Sequence, residues 1–94
     1  MEITVRYFTV LRRITEKRQE SLKMKEDSTL EDMLVILTEK YGENFERYVS
    51  SGIGKKGLRL VFLLNGKDVT QFEGLKTRLH EGDTLALMPP IAGG

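Results

Sequence analysis

The chain has 94 residues, room for one domain, and its apolar fraction of 39% supplies a single small core but not a deep enclosed active site as well. Cysteine is absent and His80 is the one histidine, which excludes disulfides, thiolate catalysis, cysteine-ligated metals and a histidine metal cage within one chain. Fifteen Lys and Arg against fourteen Asp and Glu give a net charge of +1, with no spanning apolar run and no signal-peptide pattern, so the expectation is a cytoplasmic carrier, binder or subunit without membrane or direct nucleic-acid contact.

The N-terminus alternates. Ile3, Val5 and Tyr7 share one parity and Thr4, Arg6 and Phe8 the other, which predicts a strand with its first set turned to the core. Val10, Leu11 and Ile14 fit a helical turn, and Gln19 to Met24 alternates again, so two antiparallel strands with a long connection are expected. Asp27-Ser28-Thr29 opens a helix. Ser28 with Glu31 fits a capping box, Leu30, Met33, Leu34, Leu37 and Tyr41 form one apolar stripe, and Gly42 ends it as a left-handed cap. Phe45, Tyr48 and Val49 predict a short second helix from Glu43 to Val49.

Leu58 to Leu64 is nearly all apolar and reads as a central strand covered on much of both faces. Asn65-Gly66 then accepts the positive φ of a type I′ turn, giving a hairpin to 67–70. Phe72, Leu75 and Leu79 are expected to pack an irregular stretch. Glu81-Gly82-Asp83 is a turn before a last strand, Thr84 to Met88, with Leu85 and Leu87 on one side and Ala86 and Met88 on the other. Pro89-Pro90 stops pairing, because proline has no N–H to give a ladder. One main helix over one mixed sheet of four to five strands is an α+β domain, residues 1–88, followed by an extended tail, 89–94.

Several patterns have a bland reading that wins. Gly52-Ile53-Gly54-Lys55-Lys56-Gly57 is a literal G-x-G-x-x-G, but a helix precedes it and a strand follows, the reverse of the dinucleotide context, so it reads as a surface loop. His80 has no second ligand nearby, and Glu81 and Asp83 suit local turn hydrogen bonds. No metal site is expected.

The tail is different. Ile91-Ala92-Gly93-Gly94 follows the proline stop, and terminal glycines pack nothing and lose the most entropy on ordering. Their merit is access, since a chain without Cβ atoms threads a narrow channel and presents an α-carboxylate inside a partner. Phe8 and Met88 are out of phase with the core sets and so fall on the uncovered sheet face, with Val69 joining them as an expected docking patch.

Leu79-His80-Glu81-Gly82-Asp83-Thr84-Leu85 followed by Met88-Pro89-Pro90-Ile91-Ala92-Gly93-Gly94 resembles the end of the MoaD branch of the MoaD/ThiS family of ubiquitin-like sulfur carriers. Ile3-Thr4-Val5-Arg6-Tyr7-Phe8 and Ser28-Thr29-Leu30 also fit. The resemblance implies a ubiquitin-like β-grasp fold. It implies that a ubiquitin-activating-type (MoeB-like) adenylyltransferase uses ATP to adenylate Gly94 and that sulfur then leaves a thiocarboxylate there. By the same resemblance Gly93, Ala92 and Ile91 thread the channel, while Phe8, Val69, Met88 and Pro89 meet partners. The chain itself would bind no cofactor and would not be catalytic alone. The resemblance further implies a larger (MoaE-like) subunit, with which the chain would form molybdopterin synthase for molybdenum cofactor biosynthesis. Two departures, a longer Glu43 to Arg59 stretch and Met88 where an aromatic is common, are similar to archaeal MoaD-like proteins, some of which are attached to lysines of target proteins. Protein modification, sulfur donation to tRNA and a non-catalytic interaction module are therefore the alternatives.

Overall fold

A computed structural model of the chain describes residues 1–52 and 60–89. Strand β1 (Glu2–Tyr7) pairs antiparallel with β2 (Gln19–Lys23) on one side and parallel with β5 (Thr84–Met88) on the other. Strand β3 (Val61–Leu64) pairs antiparallel with both β5 and the two-residue β4 (Lys67–Asp68), so the sheet order is β2-β1-β5-β3-β4. The last strand of the sequence thus lies in the middle of the sheet. Helices α1 (Val10–Thr15), α2 (Leu30–Tyr41) and α3 (Glu43–Gly52) complete a ubiquitin-like β-grasp, the α+β fold that the resemblance implies.

The parity reading decides the core. Ile3, Val5, Tyr7, Leu22, Phe62, Leu64, Leu85 and Leu87 are all buried, and with Leu30, Met33, Leu34 and Leu37 of α2 they form one cluster. Each such side chain contributes about 1.5–3 kcal/mol relative to exposure, so this alternation dominates register choice. Phe45 and Val49 of α3 join the same cluster.

Some local expectations shift. The capping box sits one residue later than Ser28–Glu31. Thr29 Oγ1 accepts from Asp32 N at 3.2 Å and Asp32 Oδ2 accepts from Thr29 N at 2.9 Å, while Ser28 Oγ donates to Lys25 O instead. The reason is tertiary. Leu79 N bonds Ser28 O and Leu30 N bonds Thr77 O, holding 28–30 extended against 77–79 until the helix starts at Leu30. Gly42 has positive φ but extended ψ, so it is not a left-handed helical cap. The predicted strand 58–64 is formed only from Val61, second from the edge rather than central, and residues 58–59 lie outside the described residues. Leu79 is buried as expected, but Phe72 is 47% exposed because it ends a 3-10 turn, Val69–Gln71, that turns it outward. Asn65 and Gly66, at φ of 51° and 87°, make the expected tight hairpin.

Candidate functional site

Among the described residues no group of three or more His, Asp or Glu is placed to hold a metal ion. The His80–Asp83 turn is knitted by its own bonds. Asp83 Oδ2 accepts from His80 N at 2.7 Å, Asp83 Oδ1 from Asn65 Nδ2 at 2.9 Å, and Glu81 Oε1 from Glu2 N at 3.0 Å. These acids secure the approach to β5 and the hairpin beside it.

The sheet face opposite α2 holds the other candidates. Tyr7 pairs with Leu87, so Phe8 comes level with Met88, and Met88 pairs with Val61. One row along, Arg6 pairs with Ala86 and Ala86 with Leu63. Phe8, Met88, Val61, Ala86 and Leu63 are each half-buried, which makes a continuous apolar surface across three strands. Two cations frame it. The guanidinium carbons of Arg6 and Arg12 lie 5.4 Å and 5.2 Å from the centre of the Phe8 ring, and Arg12 Nε donates to Tyr7 O at 3.0 Å. Such contacts hold the aromatic in place at an exposed site for about 0.5–1 kcal/mol each. Pro89, half-buried, follows β5 directly after Met88. The predicted tail residues Ile91, Ala92, Gly93 and Gly94 lie outside the described residues.

Val69 does not join the patch. It is 4% exposed, because the 3-10 turn after β4 folds its side chain into the core. Val61, Leu63 and Ala86 take the place expected of it. Their signal was in the sequence: β3 is apolar at both parities, and a strand with one face in the core has its second apolar set to spare.

A polar cluster lies on the core side at the far edge. Glu20 pairs with Val5 and so shares the inward parity, with only 8% of its side chain exposed. Its carboxylate accepts from Tyr7 Oη at 2.5 Å, from Tyr41 Oη, from Lys40 Nζ at 2.5 Å and from Lys17 Nζ at 3.3 Å. Burial pushes the Glu20 pKa up, but the bonds from Lys40, Tyr41, Tyr7 and Lys17 outweigh it and bring the group down to about 2. Burial and the Glu20 carboxylate raise both tyrosines above their ordinary value. The cluster ties β1, β2 and α2 together and stays in one charge state near neutrality. It is suited to holding structure rather than moving protons.

Compared with known proteins, the chain matches the ThiS family over residues 5–94. It is 30% identical over 94 residues to small archaeal modifier protein 3 of Haloferax volcanii, in an alignment that covers 100% of both chains. Its structure is similar to that of small archaeal modifier protein 1 from Methanosarcina acetivorans, with a TM-score of 0.74 and 29% identity over 99% of this chain and 96% of that one. It is also similar to a chain of the BexX/CysO complex from Amycolatopsis orientalis, with a TM-score of 0.70 and 25% identity over 98% of this chain and 99% of that one.

Proposed function

The chain belongs to the ThiS family of ubiquitin-like sulfur carriers and modifiers, and from that premise we propose that it works by activation of the Gly94 α-carboxylate. The observation that supports this reading is the apolar surface of Phe8, Met88 and Val61 at the point where β5 ends in Pro89. Residues 89–94 span about 20 Å when extended, enough to reach into a partner docked on that surface. The similarity to the Haloferax volcanii small archaeal modifier protein, which covers all of both chains, supports the same reading.

The chemistry divides between the chains. In an activating enzyme the Gly94 carboxylate attacks the α-phosphorus of ATP, forming an acyl adenylate and releasing pyrophosphate. The terminal sulfur of a persulfide then attacks the acyl carbon and AMP leaves. An acyl disulfide results. A thiol cleaves it by exchange, is itself oxidised to a disulfide, and releases the Gly94 thiocarboxylate. The carrier supplies the carboxylate, a Cβ-free approach at Gly93 and Gly94, and the docking surface. The proposed destination is a larger synthase subunit that passes the sulfur to a pterin precursor, making this chain the small subunit of molybdopterin synthase.

Intact mass after incubation with an activating enzyme, ATP and a sulfur source tests the reading. One oxygen replaced by sulfur, lost on deleting Gly94, is expected. An unchanged mass with an enzyme active on its own carrier overturns it. The similarity to a small archaeal modifier protein favours a second destination, attachment of Gly94 to lysines of other proteins. Lysines carrying the tryptic remnant of residues 79–94 in digests of cells holding the intact chain, absent after Gly94 deletion, distinguish that outcome.

A further inference from the structure

The helix layer has a surface of its own on the side away from Phe8 and Met88. A groove of about 400 Å³ runs between α2 and α3, with Leu34, Val35 and Val49 as its apolar lining and the exposed Glu31, Glu39 and Glu46 around it. Val35 is 55% exposed in the middle of α2, although Leu34 beside it already supplies the core stripe. Glu31, Val35 and Glu39 are four residues apart, so they form a single line along the helix, acid, apolar, acid. The two acids are separated by eight residues, about 12 Å along the axis. Glu46 stands on the other bank, on α3.

Among the described residues no lysine or arginine lines this groove, and none of the three glutamates has an ion-pair partner. The contrast with α2's other bank is direct. There Lys23 and Lys25, with Asp32, line a neighbouring hollow that also reaches Val35. Lysines outnumber acids on that bank, whereas the charged side chains of the α2–α3 groove are all acids. A partner lying along α2 would be oriented by that gradient, with its cations turned toward α3.

From this complementarity we propose that the α2–α3 groove docks a basic amphipathic helix of a partner protein. That helix would present an apolar side chain to Val35, Leu34 and Val49 and Lys or Arg two turns apart to Glu31 and Glu39. The matching repeat is seven or eight residues, which places both cations on the same face as the apolar anchor. The groove lies on the helix side of the sheet and the Phe8–Met88 surface on the other, so one partner does not exclude the other. The proposal does not depend on activation of Gly94.

A synthetic helical peptide with lysines seven residues apart and a leucine midway is the probe, titrated into the isotopically labelled chain by NMR. Amide shifts centred on Val35, Glu39 and Val49, with affinity falling as salt rises, are expected. The Glu31→Lys, Glu39→Lys pair should weaken binding about tenfold, as two exposed ion pairs are worth near 1 kcal/mol together and their reversal adds repulsion. Val35→Asp should abolish it, and neither variant should alter melting temperature by more than a few degrees, because all three positions are exposed. Equal binding by a peptide with the same composition in scrambled order overturns the proposal. So do shifts mapping to Phe8 and Met88, or a groove found filled by a second copy of this chain in sedimentation runs. Absence of binding at millimolar peptide also overturns it.

Discussion

Glu20→Gln should change how stability depends on acid as well as how large it is. Four donors converge on the Glu20 carboxylate, and two of them, Lys17 and Lys40, are cations. Burial alone would raise its pKa; the donors overcome that and bring it from 4.5 to about 2. The unfolded chain therefore binds the proton more readily. The resulting stability is fully present above about pH 4.5 and is lost as pH falls through about 2. At about 1.4 kcal/mol per pKa unit the whole shift is about 3.5 kcal/mol. The Lys17 and Lys40 side chains are 42% and 43% exposed, so solvent screens part of it and about 2 kcal/mol is the expected effect. Urea unfolding followed by circular dichroism at a series of pH values from 7 to 2.5 checks this. The gap between parent and variant should be widest at pH 7 and narrow steadily below pH 4.5. A gap that stays constant to pH 2.5 would show that the donors do not hold Glu20 ionised.

Phe8→Asp and Met88→Asp should each weaken binding of the activating enzyme about tenfold or more in calorimetry, with little change in melting temperature, since both side chains are half-exposed at the centre of the patch; global unfolding would mean the strand parity is wrong. Thr9→Gly should stabilise the domain by about 1 kcal/mol in the same urea assay, because Thr9 sits at φ 48°, ψ −118°, a region a β-branched residue enters at a cost that exceeds glycine's extra entropy. A loss of stability there would show that the junction is unstrained. Thr29→Ala should cost about 1 kcal/mol by removing the cap on Asp32 N, whereas Ser28→Ala, whose hydroxyl bonds only Lys25 O, should cost less; the reverse order would restore the earlier box.

Period and punctuation made most of the β-grasp legible in the chain itself. Alternation at Ile3, Val5 and Tyr7 and at Leu85 and Leu87, the stripe from Leu30 to Tyr41, and Asn65-Gly66 each report a local rule that the tertiary structure obeys. The misses share one cause, which is contact between distant segments. Ser28 lost the cap to Thr29 because residues 77–79 hold it extended. Val69 went into the core and Phe72 out of it because of a 3-10 turn whose geometry no period announces. The Glu20 cluster was invisible for a similar reason: a charged residue at an inward parity position reads as a break in the pattern until Tyr7, Tyr41, Lys17 and Lys40 are brought around it from a strand, a loop and a helix. Of the candidate docking residues, Phe8 and Met88 needed only parity. Val61 and Leu63 were signalled by the apolarity of β3 at both parities, but that they lie beside Met88 and Ala86 follows from the pairing of β3 with β5, which sequence spacing does not supply.

The position of β5 explains why so small a chain suffices for the proposed role. A tail leaving an edge strand would start from backbone paired on one side, free to fray. β5 is paired on both sides, to β1 as far as Tyr7 and Leu87 and to β3 as far as Val61 and Met88. Both ladders end within two residues of Pro89, and the apolar surface of Phe8, Met88 and Val61 lies across that same end. A partner gripping this surface would therefore grip the chain where β5 ends. Register matters at the scale of one residue, about 3.3 Å along a strand, so in the proposed role a fixed origin is what a partner would need to receive the tail in register. The core-facing parity supplies the rigidity and the opposite parity the address, which is why one alternating pattern in 94 residues can serve both.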